Sequence, residues 1–289
     1  MRLLLVHGRA QGGRTAKGIE RAWSGALARG CSAAGVTLPT GIDVRLPFYG
    51  DRLDQLTTGR AQALGRVIER GADGGPDVNE FDRDFILALA TRAGVTQDEI
   101  QAELGAAVIE RGAENWEWVQ AAGRLVSRKV PGFGRMLMAR MTADANAYMT
   151  RPAVTKQINA LVAPHVLGDR AVVVGHSLGS VVAYWVLHDL AARADVPLFV
   201  TLGSPLGIDA VKNNLPRPLG RPAGVRHWFN GSDERDPVAL YSRLDKGVFP
   251  AEIENKSDIH NPRKDPHGIS GYLSNATVAK KIANGLRSA

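Results

Sequence analysis

The chain has 289 residues, 44% of them hydrophobic and 22% charged, with 32 Gly, 15 Pro and a single Cys. That composition excludes a disordered, a collagen-like and a disulfide-stapled protein, and a chain this long needs neither metal nor disulfide to hold a core. Lys+Arg 36 against Asp+Glu 29 leaves a net charge of +7. With no basic stripe interleaved with aromatics, this points to a solvated basic surface or an attraction to anionic membrane or substrate, and not to nucleic acid.

The opening MRLLLVHG holds an apolar run, Leu3 to Val6, too short for a signal-peptide core. No stretch approaches the roughly 18 apolar residues of a spanning helix. Cys31 has no partner within the chain, and a cytoplasmic protein is expected.

Arg2 to Val6, closed by His7-Gly8, has the form of a buried parallel strand. A Gly-rich turn at Gln11-Gly12-Gly13 precedes a helical pattern through Ile19, Ala22, Trp23 and Leu27, which Gly30 is expected to stop. Ile42 to Leu46 reads as a second strand, ended by Pro47.

From about residue 50 to 151 the pattern is helix after helix. Asp51 to Arg70 is one helix, broken by GADGGPD. Thr96-Gln97-Asp98-Glu99 is a capping box opening a helix expected to reach about Arg111. Trp116 to Val126 forms another, Pro131-Gly132 interrupts, and Phe133 to Tyr148 resumes the pattern. Trp116 and Trp118, two apart, cannot share a helix face, so one of them is expected to be exposed or to line the site. Residues 121–141 carry five basic and no acidic residues among Phe133, Met136, Leu137, Met138 and Met141. Such a segment suits either a helix pair packed on the core or a lipid-facing lid with peripheral contact to an anionic membrane.

Strand-and-helix alternation then returns. Val154 to Val166 is an amphipathic helix, Ala171 to Val174 a strand and Ser180 to Ala192 a helix. Leu198 to Leu202 and Val225 to Phe229 are further strands, joined by a Pro/Gly-rich loop. The expected fold class is α/β, a mostly parallel sheet with helices on both faces, built from residues 1–50 and 151–289, with 51–150 an α-helical cap inserted into it.

Gly175-x-Ser177-x-Gly179 sits between an apolar strand and a helix. A serine on that sharp turn is forced to expose its Oγ above the sheet, and the flanking glycines are needed where a Cβ would collide. A nucleophilic serine needs a base within reach and an acid to orient it. Of the downstream histidines, His188 lies within a helix and His227 within a strand, leaving His260 and His267 in the polar loop DIHNPRKDPHGISGYL. His267 is preferred because Pro266-His267-Gly268 leads into the last helical region. Asp233 and Asp236 both qualify as the acid, and Asp236 is preferred because Pro237 fixes the chain beyond it. A metal site at Asp258, His260, Asp265 and His267 lacks any HExxH-like spacing. Oxyanion donors are expected at the N–H of Leu178 and, from the first strand–helix loop, the N–H of Arg9, with Gly8 allowing close approach.

The succession VHGRAQGG, VVVGHSLGSVVAYWVL, TLGSPLGI, WFNGSDERDPVA and DPHGISGYL resembles landmarks of the α/β-hydrolase superfamily, closest to its lipase and esterase branch. The likeness covers roughly residues 1–50 and 150–289; the segment 51–150 is unlike its known caps. It implies hydrolysis of an ester or lipid-like small molecule through an acyl-enzyme, with Ser177 as nucleophile, Asp236 as acid and His267 as base. That chemistry asks for no metal or organic cofactor. A non-catalytic binding protein on the same fold and an acyltransferase using the same acyl-enzyme are the alternatives.

Overall fold

A computed structural model describes residues 1–8, 14–70, 79–105, 115–130 and 134–288. Six strands, β1 (Arg2–Val6), β2 (Asp43–Arg45), β3 (Ala171–His176), β4 (Val196–Leu202), β5 (Val225–Gly231) and β6 (Glu254–Lys256), form one sheet in the order β2-β1-β3-β4-β5-β6. Every pairing between these strands is parallel, so the expected mostly parallel sheet is wholly parallel among the described residues. β6 escaped the sequence reading because ENK has no apolar character. It holds the sheet edge through backbone pairing with Phe229 to Gly231.

Strand side chains alternate between two apolar layers. Leu3, Leu5, Val172, Val174, Val200 and Phe229 face α1 (Ala16–Ala33) and the two helices that close the chain. Leu4, Val6, Val173, Phe199 and Trp228 face the opposite layer. The chain leaves β1 for β2 in one direction and later leaves β3 for β4 in the other. Right-handed crossovers running in opposite directions place their helices on opposite faces.

Among the described residues, β2 is followed by α2 (Gly50–Arg70), α3 (Glu80–Arg92), α4 (Gln97–Leu104), α5 (Trp116–Lys129) and α6 (Arg135–Thr150). α3 was not expected from the sequence, although Asn79 and Asp82 form a capping box at its start. The predicted box at Thr96 and Glu99 is present, and α4 ends at Leu104 with Gly105 at φ +75° beyond it; residues 106–111 of the expected helix lie outside the described residues. The GADGGPD break and Pro131-Gly132 lie outside the described residues, as does Phe133. Neither Trp116 nor Trp118 is exposed: Trp118 is buried, and Trp116 is half-buried against the same apolar layer. A helix buried on several sides has more than one inner face, so two tryptophans two apart can both be covered.

After α6 come α7 (Pro152–Val162), α8 (Leu178–Leu190), the single turn α9 (Asp209–Lys212), α10 (Ile269–Ser274) and α11 (Ala276–Arg287). α2 to α8 share one continuous apolar cluster with the sheet face below them. Gly30 does not end α1. A Cβ there would strike the Leu273 carbonyl of α10, so glycine serves close helix packing and not termination. No described helix is long and apolar enough to cross a membrane.

Candidate active site

The carboxyl ends of β1, β3, β4 and β5 converge at one edge of the sheet. β1 and β3 are neighbours from which the chain departs in opposite directions, and the crevice at such a reversal is where α/β sheets bind ligands.

Ser177 lies there, between β3 and α8. Its φ of +55° and ψ of −133° make it one of two non-glycine residues with positive φ among the described residues. Such a conformation costs about 1–3 kcal/mol and persists only where its surroundings dictate it. The surroundings are tight. A Cβ on Gly175 would sit 2.6 Å from the Ser180 Cα, and one on Gly179 would collide with the Val6 and His7 carbonyls. Ser177 N–H donates to the Leu202 carbonyl at 3.1 Å, tying the turn to the end of β4. Ser180 Oγ donates back to the Ser177 carbonyl at 2.6 Å and lies 2.7 Å from Ser204 Oγ.

His267 and Asp236 come together from separate loops. Nδ1 of His267 lies 2.8 Å from Oδ2 and 3.0 Å from Oδ1 of Asp236. Asp236 is fully buried and also accepts from Tyr272 Oη at 2.6 Å and from the Val238 N–H at 2.8 Å. Burial raises its carboxyl pKa, but the His267 ring and these hydrogen bonds outweigh it, and the group titrates below the ordinary aspartate value. The carboxylate therefore stays charged and fixes a proton on Nδ1. Nε2 of His267 is buried without a hydrogen-bond partner among the described residues. Gly203, at φ +55°, leaves room for the pair: its Cβ would lie 2.8 Å from Asp236 Oδ2 and 3.2 Å from His267 Nδ1.

Asp233, the rival acid, is engaged elsewhere. It pairs with Arg235 at 2.7 Å and accepts from the Asn261 N–H at 2.7 Å. Burial raises its pKa, and the Arg235 and Asn261 hydrogen bonds bring it below the ordinary value. His260 is exposed, Asp258 pairs with Lys256 at 2.7 Å and His267 faces Asp236, so the candidate metal set diverges. His188 touches the Pro218 carbonyl at 3.3 Å, and His227 is exposed on β5.

The β1 loop abuts the serine. A Cβ on Gly8 would lie 2.7 Å from Ser177 Cβ, so glycine is required for this approach. His7 is buried and braces the loop: its Nδ1 bonds the Gly8 carbonyl at 2.6 Å, and its Nε2 accepts the Tyr49 N–H at 3.2 Å. Accepting at Nε2 requires a neutral ring, and burial pushes the His7 pKa down to about 4. Tyr49 Oη donates to the His7 carbonyl. Leu178 is the first residue of α8, where a backbone N–H has no acceptor within the helix. Arg9 lies outside the described residues.

The basic segment 121–141 turns most of its apolar side chains inward, Met138 and Met141 being buried while Met136 is exposed. Four of its five charges meet acids of neighbouring helices: Arg124 and Arg128 share Glu103, Lys129 pairs with Glu99 at 2.6 Å and Arg135 with Glu69 at 3.3 Å. Sequence reasoning passed over Tyr272, Gly203 and His176. Only Gly203 carried a signal, as the glycine ending a strand; the other two acquire partners through tertiary contact.

Comparison with known proteins finds no matching family model, no matching curated protein and no matching solved structure.

Proposed function

We propose that the protein is a serine hydrolase of carboxylic esters, working through an acyl-enzyme on Ser177 in an α/β-hydrolase fold, with residues 51–150 as a helical cap. The observation that carries this reading is His267. Its Nδ1 is held by the buried Asp236 carboxylate, and its Nε2 is left without a partner among the described residues, at the strand edge that holds the positive-φ serine.

In this reading Ser177 Oγ attacks the ester carbonyl while His267 Nε2 takes its proton. Asp236 keeps the imidazole in the Nδ1–H tautomer and stabilises the imidazolium that forms. The Leu178 N–H, at the amino end of α8, faces the developing oxyanion, with the Arg9 N–H as the second donor. The imidazolium returns its proton to the leaving alcohol. Water then repeats the cycle on the acyl-enzyme to release the acid. The substrate is an ester or lipid-like small molecule.

A fluorophosphonate probe and a short p-nitrophenyl ester test this directly. Wild type is expected to label and turn over, Ser177→Ala to do neither, and Asp236→Asn to lose about 10³–10⁴-fold in turnover. A folded wild type that neither labels nor hydrolyses sinks the proposal and leaves a binding protein. Product partitioning toward an added alcohol would move the reading to an acyltransferase.

A further inference from the structure

We propose that His176 and Asn261 are positioning residues that clamp the backbone of the His267 loop and so set the distance between base and nucleophile; this rests on the serine hydrolase reading. The loop from Pro266 to Gly268 has no sheet ladder to satisfy its carbonyls, and buried carbonyls need donors. The Pro266 and His267 carbonyls find them in two side chains, one of which also reaches the Gly268 carbonyl, itself already accepting the Gly271 N–H at 3.1 Å. His176 Nε2 lies 2.8 Å from the His267 oxygen, and Asn261 Nδ2 lies 2.8 Å from the Pro266 oxygen and 3.3 Å from that of Gly268.

Both donors are themselves fixed. His176 is the last residue of β3, in register with Leu202 of β4, and its neighbour in sequence is Ser177. A single residue thus connects the strand carrying the nucleophile to the backbone carrying the base. Its ring is enclosed by those of His267 at 4.7 Å, Tyr272 at 6.0 Å and Trp23 at 6.1 Å. Asn261 is buried, its N–H donates to Asp233 at 2.7 Å and its carbonyl accepts from Arg235 at 2.6 Å. Gly271 makes room, since a Cβ there would run into the Asn261 amide. Asp233 and Arg235 thereby anchor the clamp from the loop that also carries Asp236.

The clamp needs a proton on His176 Nε2. Burial and the neighbouring His267 push the His176 pKa down to about 3, so one ring nitrogen carries the only proton and the carbonyl fixes which.

The test uses the full chain. His176→Phe keeps the ring and removes the donor; His176→Gln restores a donor; Asn261→Leu opens the other side. Misplacement near 1 Å costs about a hundredfold, so kcat on a p-nitrophenyl ester is expected to fall about 10–100-fold in His176→Phe with KM held within about twofold. His176→Gln should recover to within about threefold of wild type, and Asn261→Leu should repeat the kcat loss. Equal kcat in His176→Phe and wild type, or a His176→Gln variant as slow as His176→Phe, overturns the clamp. Imidazole ¹H–¹⁵N spectra of wild type provide a readout without mutation. The Nε2–H tautomer of His176 is expected, and the Nδ1–H tautomer overturns the proposal. If wild type hydrolyses nothing, the hydrolase reading falls, while the tautomer still decides whether the carbonyl is held.

Discussion

At Ser177 the backbone stores strain that a side chain would ordinarily refuse, with φ at +55°. Glycine tolerates that region, so Ser177→Gly is expected to be more stable than Ser177→Ala by about 1 kcal/mol, both lacking probe labelling. Matched thermal or urea denaturation checks this. Equal stability would mean the turn relaxes away from positive φ. The two aspartates make a second residue-scale contrast. Asp236 faces the imidazole, whereas Asp233 holds Arg235 and Asn261. Asp233→Asn should lower the melting temperature while keeping kcat within about tenfold of wild type, against a loss of about 10³–10⁴-fold for Asp236→Asn. The reverse ranking would make Asp233 the acid. The GxSxG spacing announced the serine because its steric needs are local. Between two aspartates three residues apart, Pro237 gave a local reason to prefer Asp236, and the tertiary structure shows that this is the one facing the histidine.

Among the elements, glycines mark where helices and strands approach too closely for a side chain. Gly30 of α1 abuts the Leu273 carbonyl of α10, and α10 begins directly after the His267 loop. Gly30→Ala should separate the two helices and destabilise the fold by about 1–3 kcal/mol, read as a lowered urea midpoint. An unchanged midpoint would show the contact to be loose. From sequence alone Gly30 reads as a helix stop, because termination is glycine's commonest role near a helix end. What distinguishes packing from termination is the partner helix, about 240 residues away. The strands of the central sheet were legible for the opposite reason. Both faces of β1, β3 and β4 are largely buried, so these strands are mostly apolar, whereas the polar edge strand β6 lacked that mark.

For the whole molecule, two buried histidines link stability to pH. Burial, joined for His176 by the neighbouring His267, pushes its pKa to about 3 and that of His7 to about 4, from an ordinary value of 6.5. The unfolded chain takes up protons on these rings below 6.5 and the folded chain does not. Their contribution is therefore complete above 6.5 and is lost as pH falls toward 4, at up to about 1.4 kcal/mol per pH unit for each ring. Asp82, raised by burial against the pull of Arg60, works in the opposite direction. The urea midpoint is expected to drop between pH 7.5 and pH 5. A flat midpoint would mean that the rings become charged inside the fold.

Periodicity and local sterics, which act within a few residues, determined from sequence alone an α/β chain with a helical stretch from about residue 50 to 150 and a strained serine between strand and helix. They also carried the choice of His267 and Asp236, whose imidazole and carboxylate the structure places in hydrogen-bonding contact. Only the tertiary structure decided that the sheet is wholly parallel among the described residues, that Trp118 is buried and Trp116 half-buried, and that Tyr272, Gly203, His176 and Asn261 gather around the histidine. Those arrangements depend on which surfaces meet across long stretches of chain, and a side chain's partners there are set by packing of the whole molecule and not by its neighbours in sequence.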